Sequence, residues 1–357
     1  MKERGKKLLE TILIGFLGGG LFFILRIPLP WILGAMSFSF IWQALSKRRV
    51  FLPEGIKEGS FILLGIHFGL SFTKETFQNI IVYFPAYILV ILLFIGFCIA
   101  LGWIVTKWVP IDKITSVFSC IPGGLMEMAL ASESLKGNPS LVAIFQTIRL
   151  ISVLFFVPWS LTLIFTEHTG VVAEITRGTM TGEGTVWGWT FLIFPILIAY
   201  FLKDKIPAGL IIGALLGTGF LQLTPISLPG SLPNWIVYGS QLFVGAGLGK
   251  NILLEDLKKA GKYGLVYFFL SILMILGSFG FGTLFAYMTS LNLETALLSI
   301  APGGLFEMVL TAQAIGGDSA VVSALQLIRV LFIVTCVPFL VKFIFSPKRR
   351  FFGKENN

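Results

Sequence analysis

Ser119-Cys-Ile-Pro-Gly-Gly-Leu-Met-Glu-Met128 returns 180 positions later as Ser299-Ile-Ala-Pro-Gly-Gly-Leu-Phe-Glu-Met308. Laid down without a gap, Ser116 to Pro158 matches Ala296 to Pro338 at 15 of 43 positions, including Pro122/Pro302, Glu127/Glu307, Gln146/Gln326, Arg149/Arg329 and Pro158/Pro338. The chain is a duplicated unit. Both copies carry a carboxylate, an arginine and a Pro-Gly-Gly breaker inside apolar sequence, where such residues are costly. Finding all of them twice predicts a site built where two related halves meet. The match extends outward: Ile27-Pro28 with Gly34-Ala35 corresponds to Ile206-Pro207 with Gly213-Ala214, and Gly59-Ser60, Gly65 and Gly69 correspond to Gly239-Ser240, Gly245 and Gly249.

With 55% hydrophobic residues, 13% charged residues and a mean hydropathy of +0.89, the chain is far more apolar than a soluble domain, whose charged share is about 25%. It reads as an integral membrane protein with the lipid bilayer as its partner. The apolar runs, such as Asn79 to Val105 and Lys262 to Met288, are long and lack period-2 alternation, which predicts spanning helices rather than barrel strands. The expected class is therefore all-α, a polytopic transmembrane helical bundle. The net charge of +9 comes from short Lys/Arg clusters between apolar runs, as the positive-inside rule requires, so no nucleic-acid partner is expected. Cys98, Cys120 and Cys336 lack paired spacing and lie in apolar stretches, which reads as buried small hydrophobes and not as a disulfide framework or a metal site. The first apolar run, after Lys6-Lys7, ends at Arg26-Ile-Pro without a small-residue cleavage site and reads as a retained helix.

Each half offers six apolar segments: 8–25, 30–45, 59–72, 79–106, 114–134 and 139–166, then 186–202, 207–223, 238–250, 263–289, 294–315 and 319–345. The implied organisation is membrane repeat 1 over 1–166, a connector over 167–185, membrane repeat 2 over 186–346 and a basic cytoplasmic tail over 347–357. If all twelve segments cross, the basic residues flanking them divide 16 inside to 9 outside; if 114–134 and 294–315 enter and return, the division becomes 22 to 3. The second count is the one the positive-inside rule favours. It predicts two inverted repeats, each with about five spanning helices and one broken, re-entrant Pro-Gly-Gly segment, and both termini in the cytoplasm.

In such a segment Pro122 and Pro302 remove a backbone donor, while Gly123-Gly124 and Gly303-Gly304 allow a sharp reversal. Backbone groups freed at membrane depth must face protein or a watery cavity, and helix ends there can hold an ion or an anionic solute; a tightly packed kink is the bland alternative. Glu127 and Glu307 are candidates to bind Na⁺ or carry a proton. Arg149 and Arg329 lie about ten residues into their helices, roughly 15 Å deep, where a charge needs a partner: the Glu of the same half or the anionic group of a ligand. Gln146 and Gln326 share the arginine face and extend either a solute cradle or a structural network. Segments 59–72 and 238–250 are short and interrupted by glycine, a second pointer to the site. His67 in the first has Gly247 as its counterpart and reads as a packed or lipid-edge histidine rather than a ligand; His168 falls in the connector. Neither an enzymatic motif nor a metal-ligand cluster is legible, so no enzyme and no cofactor are expected beyond Na⁺ or H⁺ as a coupling ion.

The two motifs Pro122-Gly-Gly-Leu-Met-Glu127 and Pro302-Gly-Gly-Leu-Phe-Glu307, followed by Gln146-x-x-Arg149 and Gln326-x-x-Arg329, resemble the bacterial membrane family called AbrB. Its members carry an internally duplicated membrane domain and are often labelled ammonia monooxygenase or regulator. The resemblance implies a multi-pass protein of the bacterial cytoplasmic membrane. The inverted halves also look like elevator-type carriers for citrate, glutamate and similar anions, which is an architectural likeness. The functional expectation is a secondary-active transporter of a small anionic organic solute, driven by Na⁺ or H⁺. The alternative is a membrane sensor or regulator that affects gene expression without transport, and a homodimer is compatible with either.

Overall fold

The computed structural model describes residues 2–165, 186–206, 208–226 and 228–345. The proposed connector 167–185, with His168, and the basic tail 347–357 lie outside the described residues. The fold is all-α. The first half folds as α1 (Lys2–Ile24), α2 (Pro30–Ser46), α3 (Glu54–Leu70), α4 (Lys74–Val105), α5 (Lys113–Cys120), α6 (Leu125–Ser134) and α7 (Pro139–Phe165). The second follows the same order with α8 (Val186–Phe191) and α9 (Ile193–Leu202), α10 (Gly209–Gln222), α11 (Asn234–Asn251), α12 (Leu254–Thr289), α13 (Leu293–Ile300), α14 (Leu305–Ile315) and α15 (Ser319–Phe345).

Among the described residues five helices are long and apolar enough to cross a membrane: Glu3–Ile24, Lys74–Val105, Pro139–Phe165, Leu254–Thr289 and Ser319–Pro338. The expectation of about five spans in each half is not met by length alone. At 1.5 Å per residue, α2, α3, α10 and α11 reach roughly 21 to 27 Å, just under a hydrocarbon core of about 30 Å. Large apolar side chains such as Ile81 of α4, Leu163 of α7, Phe201 of α9, and Leu265 and Phe269 of α12 stand exposed, the pattern of surfaces that face lipid.

The helices sort into two bundles that interleave the halves. In the short-helix bundle, α2 packs along α11 and α3 along α10. Small residues let these backbones meet, as in other membrane helix pairs. A Cβ on Gly245 would come within 2.3 Å of the Ile32 carbonyl, and one on Gly69 within 2.7 Å of the Leu215 carbonyl. Gln43 Nε2 donates to Gly249 O at 3.0 Å, and Gln222 Nε2 to Leu70 O at 3.0 Å. In both pairs residue numbers rise together, so the partners run parallel.

The long-helix bundle holds α4–α7 and α12–α15. Its central pair, α4 and α12, are counterparts by the 180-residue spacing, and they run antiparallel: Tyr87 meets Phe285, Phe94 meets Phe281, and Phe97 lies where a Cβ on Gly277 would go. α3 and α14 bridge the bundles through Phe61 and Phe306, with centroids 6.0 Å apart, and through His67 Nε2 within 3.4 Å of Gln313 Oε1.

Candidate functional site

Each Pro-Gly-Gly segment folds as two short helices around a turn. Helices of 8 and 10 residues, α5 and α6, reach about 12 and 15 Å, so neither spans a bilayer. The pair doubles back on itself, because Asn138 N donates to Thr115 Oγ1 at 2.7 Å and ties the far end of the hairpin to its start. Asp318 N and Thr295 Oγ1 repeat the tie at 2.9 Å for α13 and α14.

At the tip, Gly123 N donates to Ile121 O at 2.8 Å across Pro122, and Gly303 N donates to Ala301 O at 2.8 Å across Pro302. These are tight three-residue turns, which the fixed proline φ suits. The two glycines make room for later side chains. A Cβ on Gly123 would lie 2.7 Å from Met128 atoms and one on Gly124 would lie 2.0 Å from Glu127 Oε2; Gly303 and Gly304 stand in the same relation to Met308 and Glu307. Each glutamate occupies the third position of the helix after the turn and folds back over its N-terminus, where the helix dipole favours a carboxylate.

The arginines find a partner the sequence did not suggest. Arg149 donates to Ile121 O at 2.6 Å and Gly123 O at 3.2 Å, and Gln146 Nε2 to Phe118 O at 2.6 Å and Ile121 O at 2.9 Å. Arg329 donates to Ala301 O and Gly303 O, and Gln326 to Leu298 O at 2.5 Å. A guanidinium thus covers the carbonyls that each broken helix leaves free. Among the described residues the ion pairs are Lys203–Glu58 and Lys259–Asp256, and neither involves the site glutamates or arginines. Donating a hydrogen bond to Glu58 raises the pKa of Lys203, which sits at a helix end away from the site.

Each arginine sits on the tip of its own hairpin. Arg149 and Arg329 lie close enough to interact electrostatically, with Cys98 of α4 near both. Several buried polar atoms have no partner among the described residues: Gln146 Oε1, Arg149 Nε, Gln326 Oε1, Arg329 Nε and Glu307 Oε2. Leaving such a group unpaired costs about 1–3 kcal/mol, and four of the five come as matched pairs from the two halves.

Two tyrosines belong to this architecture and escaped the sequence reading. Tyr87 OH of α4 donates to Ser299 O of the second hairpin at 3.3 Å, and Tyr267 OH of α12 donates to Ser116 Oγ of the first at 2.8 Å. Each half therefore braces the other's hairpin. The signal was present, since the tyrosines are themselves 180 residues apart, but they fall outside the gapless motif alignment.

The hairpins differ in surroundings. Met126 and Leu130 of α6 are 70% and 63% exposed, whereas their counterparts Phe306 and Leu310 of α14 are 9% and 5% exposed. Glu307 is buried and Glu127 is half-buried.

A sequence profile described as "Transition state regulatory protein AbrB" matches residues 6–345. The chain belongs to the AbrB family. It is 26% identical over 251 residues to "Uncharacterized protein YhjN" of Bacillus subtilis (strain 168), an alignment covering 66% of this chain and 65% of that one. It is 28% identical over 151 residues to "Putative regulator AbrB" of Escherichia coli (strain K12), covering 42% of this chain and 43% of that one. The profile takes in both hairpins, so the duplicated site lies inside what defines the AbrB match.

Proposed function

We propose that this AbrB-family chain is a secondary-active transporter of the cytoplasmic membrane, moving a small anionic organic solute with Na⁺ or H⁺ by alternating access, and that it is not an enzyme. The observation that carries this reading is the set of orphaned buried polar atoms that the Gln and Arg of the two hairpins contribute in matched pairs. Paired orphans contributed by two halves mark a place for a guest that satisfies both. The arginines contribute fixed positive charge, with Arg149 and Arg329 Nε–H left to donate to an anion. Glu307 and Glu127 take the coupling cation, and Pro122-Gly-Gly124 and Pro302-Gly-Gly304 set the shape of the cradle.

The antiparallel course of α4 and α12 supports inverted repeats, since counterpart helices related by an axis along the membrane normal would run parallel. The tie from Thr115 to Asn138 and the short lengths of α5 and α6 support a segment that enters and returns on one side. On this arrangement both termini are cytoplasmic. Unequal burial of equivalent hairpin faces supports a protein caught in one of two related states.

A second reading, a membrane sensor that binds a solute without moving it, draws on the names of the family and of the E. coli relative. Counterflow separates the two. Proteoliposomes loaded with a metabolite extract and challenged with the same pool isotope-labelled are expected to exchange at least one anion. Glu307→Gln is expected to stop that exchange or remove its ion dependence. Folded protein that exchanges nothing under Na⁺ and H⁺ gradients leaves the sensor.

A further inference from the structure

A groove of about 570 Å³ runs along the outer face of α4, away from the hairpin tips. Leu92, Gly96, Ile99 and Trp103 line its α4 side, Leu340 of α15 its other wall, and Lys113 closes one end. From Leu92 to Trp103 it follows one helical face for about 16 Å. The floor is open because Gly96 has no side chain, and a Cβ there would meet nothing within 4 Å. At the closed end Lys107 and Lys113 converge on one indole, their ammonium nitrogens 5.8 and 6.0 Å from the Trp103 ring. Both lysines are exposed. The neighbouring Asp112 carboxylate is engaged at the start of α5, accepting from Thr115 N at 2.8 Å.

The duplication supplies an internal control. The positions 180 residues on from Gly96, Trp103, Lys107 and Lys113 are Leu276, Thr283, Tyr287 and Leu293. Leu276 stands 59% exposed where Gly96 leaves a gap. The second half thus builds the same helix with neither the glycine gap nor the cations, so the repeat does not need them to fold.

We propose that this groove holds one anionic phospholipid, an acyl chain lying over Gly96 and the phosphate between Lys107 and Lys113 above Trp103. An apolar trough of this length capped by two cations and an interfacial tryptophan matches an amphiphile whose polar end is negative. The leaflet assignment rests on the orientation proposed above, which puts Lys107 and Lys113 on the cytoplasmic side, where anionic lipids concentrate. There the lipid would sit against α4, the helix whose Tyr87 braces the second hairpin.

The test is native mass spectrometry of the full chain in detergent, titrated with phosphatidylglycerol or with phosphatidylcholine of the same acyl chains. Wild type is expected to retain one phosphatidylglycerol in preference to phosphatidylcholine. Lys107→Gln with Lys113→Gln is expected to weaken that retention roughly thirty-fold, the attraction of two basic residues. Gly96→Leu, which installs the counterpart's side chain on an open surface, is expected to reduce retention of both lipids with the lysines intact. Lys258→Gln with Lys259→Gln, which do not line the groove, should change nothing. Equal retention of the two lipids, or equal losses from the two lysine pairs, would overturn the proposal. No leaflet exists in detergent and no transport is required, so a wrong orientation or a failed counterflow leaves this titration unaffected.

Discussion

The two hairpins are built from one motif and sit in two environments. Around α13 and α14 the turn, the glutamate and the apolar face are enclosed, with α14 held against α3 through Phe306 and Gln313. Around α5 and α6 the same wiring of Gln, Arg and backbone carbonyl is intact, yet Met126 and Leu130 stand exposed. The internal hydrogen bonds of a hairpin therefore do not depend on whether its outer face is covered. The wiring is common to both hairpins, and what differs is the wall beside each. A protein whose duplicated halves alternate roles would exchange these environments, covering α6 while α14 is released.

The largest expected effect breaks the comparison at its base. Arg329→Leu leaves the Ala301 and Gly303 carbonyls buried without their charged donor and is expected to cost about 2–6 kcal/mol, at about 1–3 kcal/mol for each carbonyl, read as a loss of thermal stability in detergent. Arg149→Leu should cost less because α6 is accessible; the reverse order would mean that the burial difference does not describe the working protein. Next, Gly304→Ala and Gly124→Ala drive a methyl into their own glutamate. A cost of about 1–3 kcal/mol is expected for such overpacking, larger at Gly304, where Glu307 has nowhere to go. Accessibility sharpens the contrast further: Leu130→Cys should react with a water-soluble maleimide at least about tenfold faster than Leu310→Cys, whose exposure requires a local opening. A transported solute should narrow that ratio, and a ratio near one in all conditions counts against two distinct environments. The smallest effect concerns what the hairpins share. Tyr87→Phe and Tyr267→Phe each remove one bond to the opposite half's hairpin and should lower stability by similar amounts, about 1 kcal/mol.

Much of this was legible from residues. The helical class follows from the apolar runs, and the site's inventory of Glu, Gln, Arg and Pro-Gly-Gly follows from the repeat. The arginine's partner was not legible, because a backbone carbonyl has no letter in a sequence; only the turn brings Ile121 and Gly123 oxygens to Arg149. The same holds for the glycines, whose purpose becomes visible once Met128 and Glu127 are seen folded back onto them. The sharp reversal they allow is one reason for them, and the geometry adds space as a second. The unequal burial of α6 and α14 could not be read at all, since both copies carry the same motif and the difference lies in which neighbour each meets. Of the packed and lipid-edge settings the sequence allows for His67, the contact with Gln313 across the two bundles fits the packed one.

The glycine seams between α3 and α10 and between α2 and α11 also bear on how the protein is made. Gly65 meets Ile211 and Gly69 meets Leu215, partners that leave the ribosome long after them. At roughly 5–20 residues per second, α3 waits about 7–30 s for the helix that covers it. During that interval its small-residue face has no protein to lie against. Synthesis that halts between the repeats leaves an inserted first half whose tightest contacts were meant for a segment never made, a natural signal for membrane quality control.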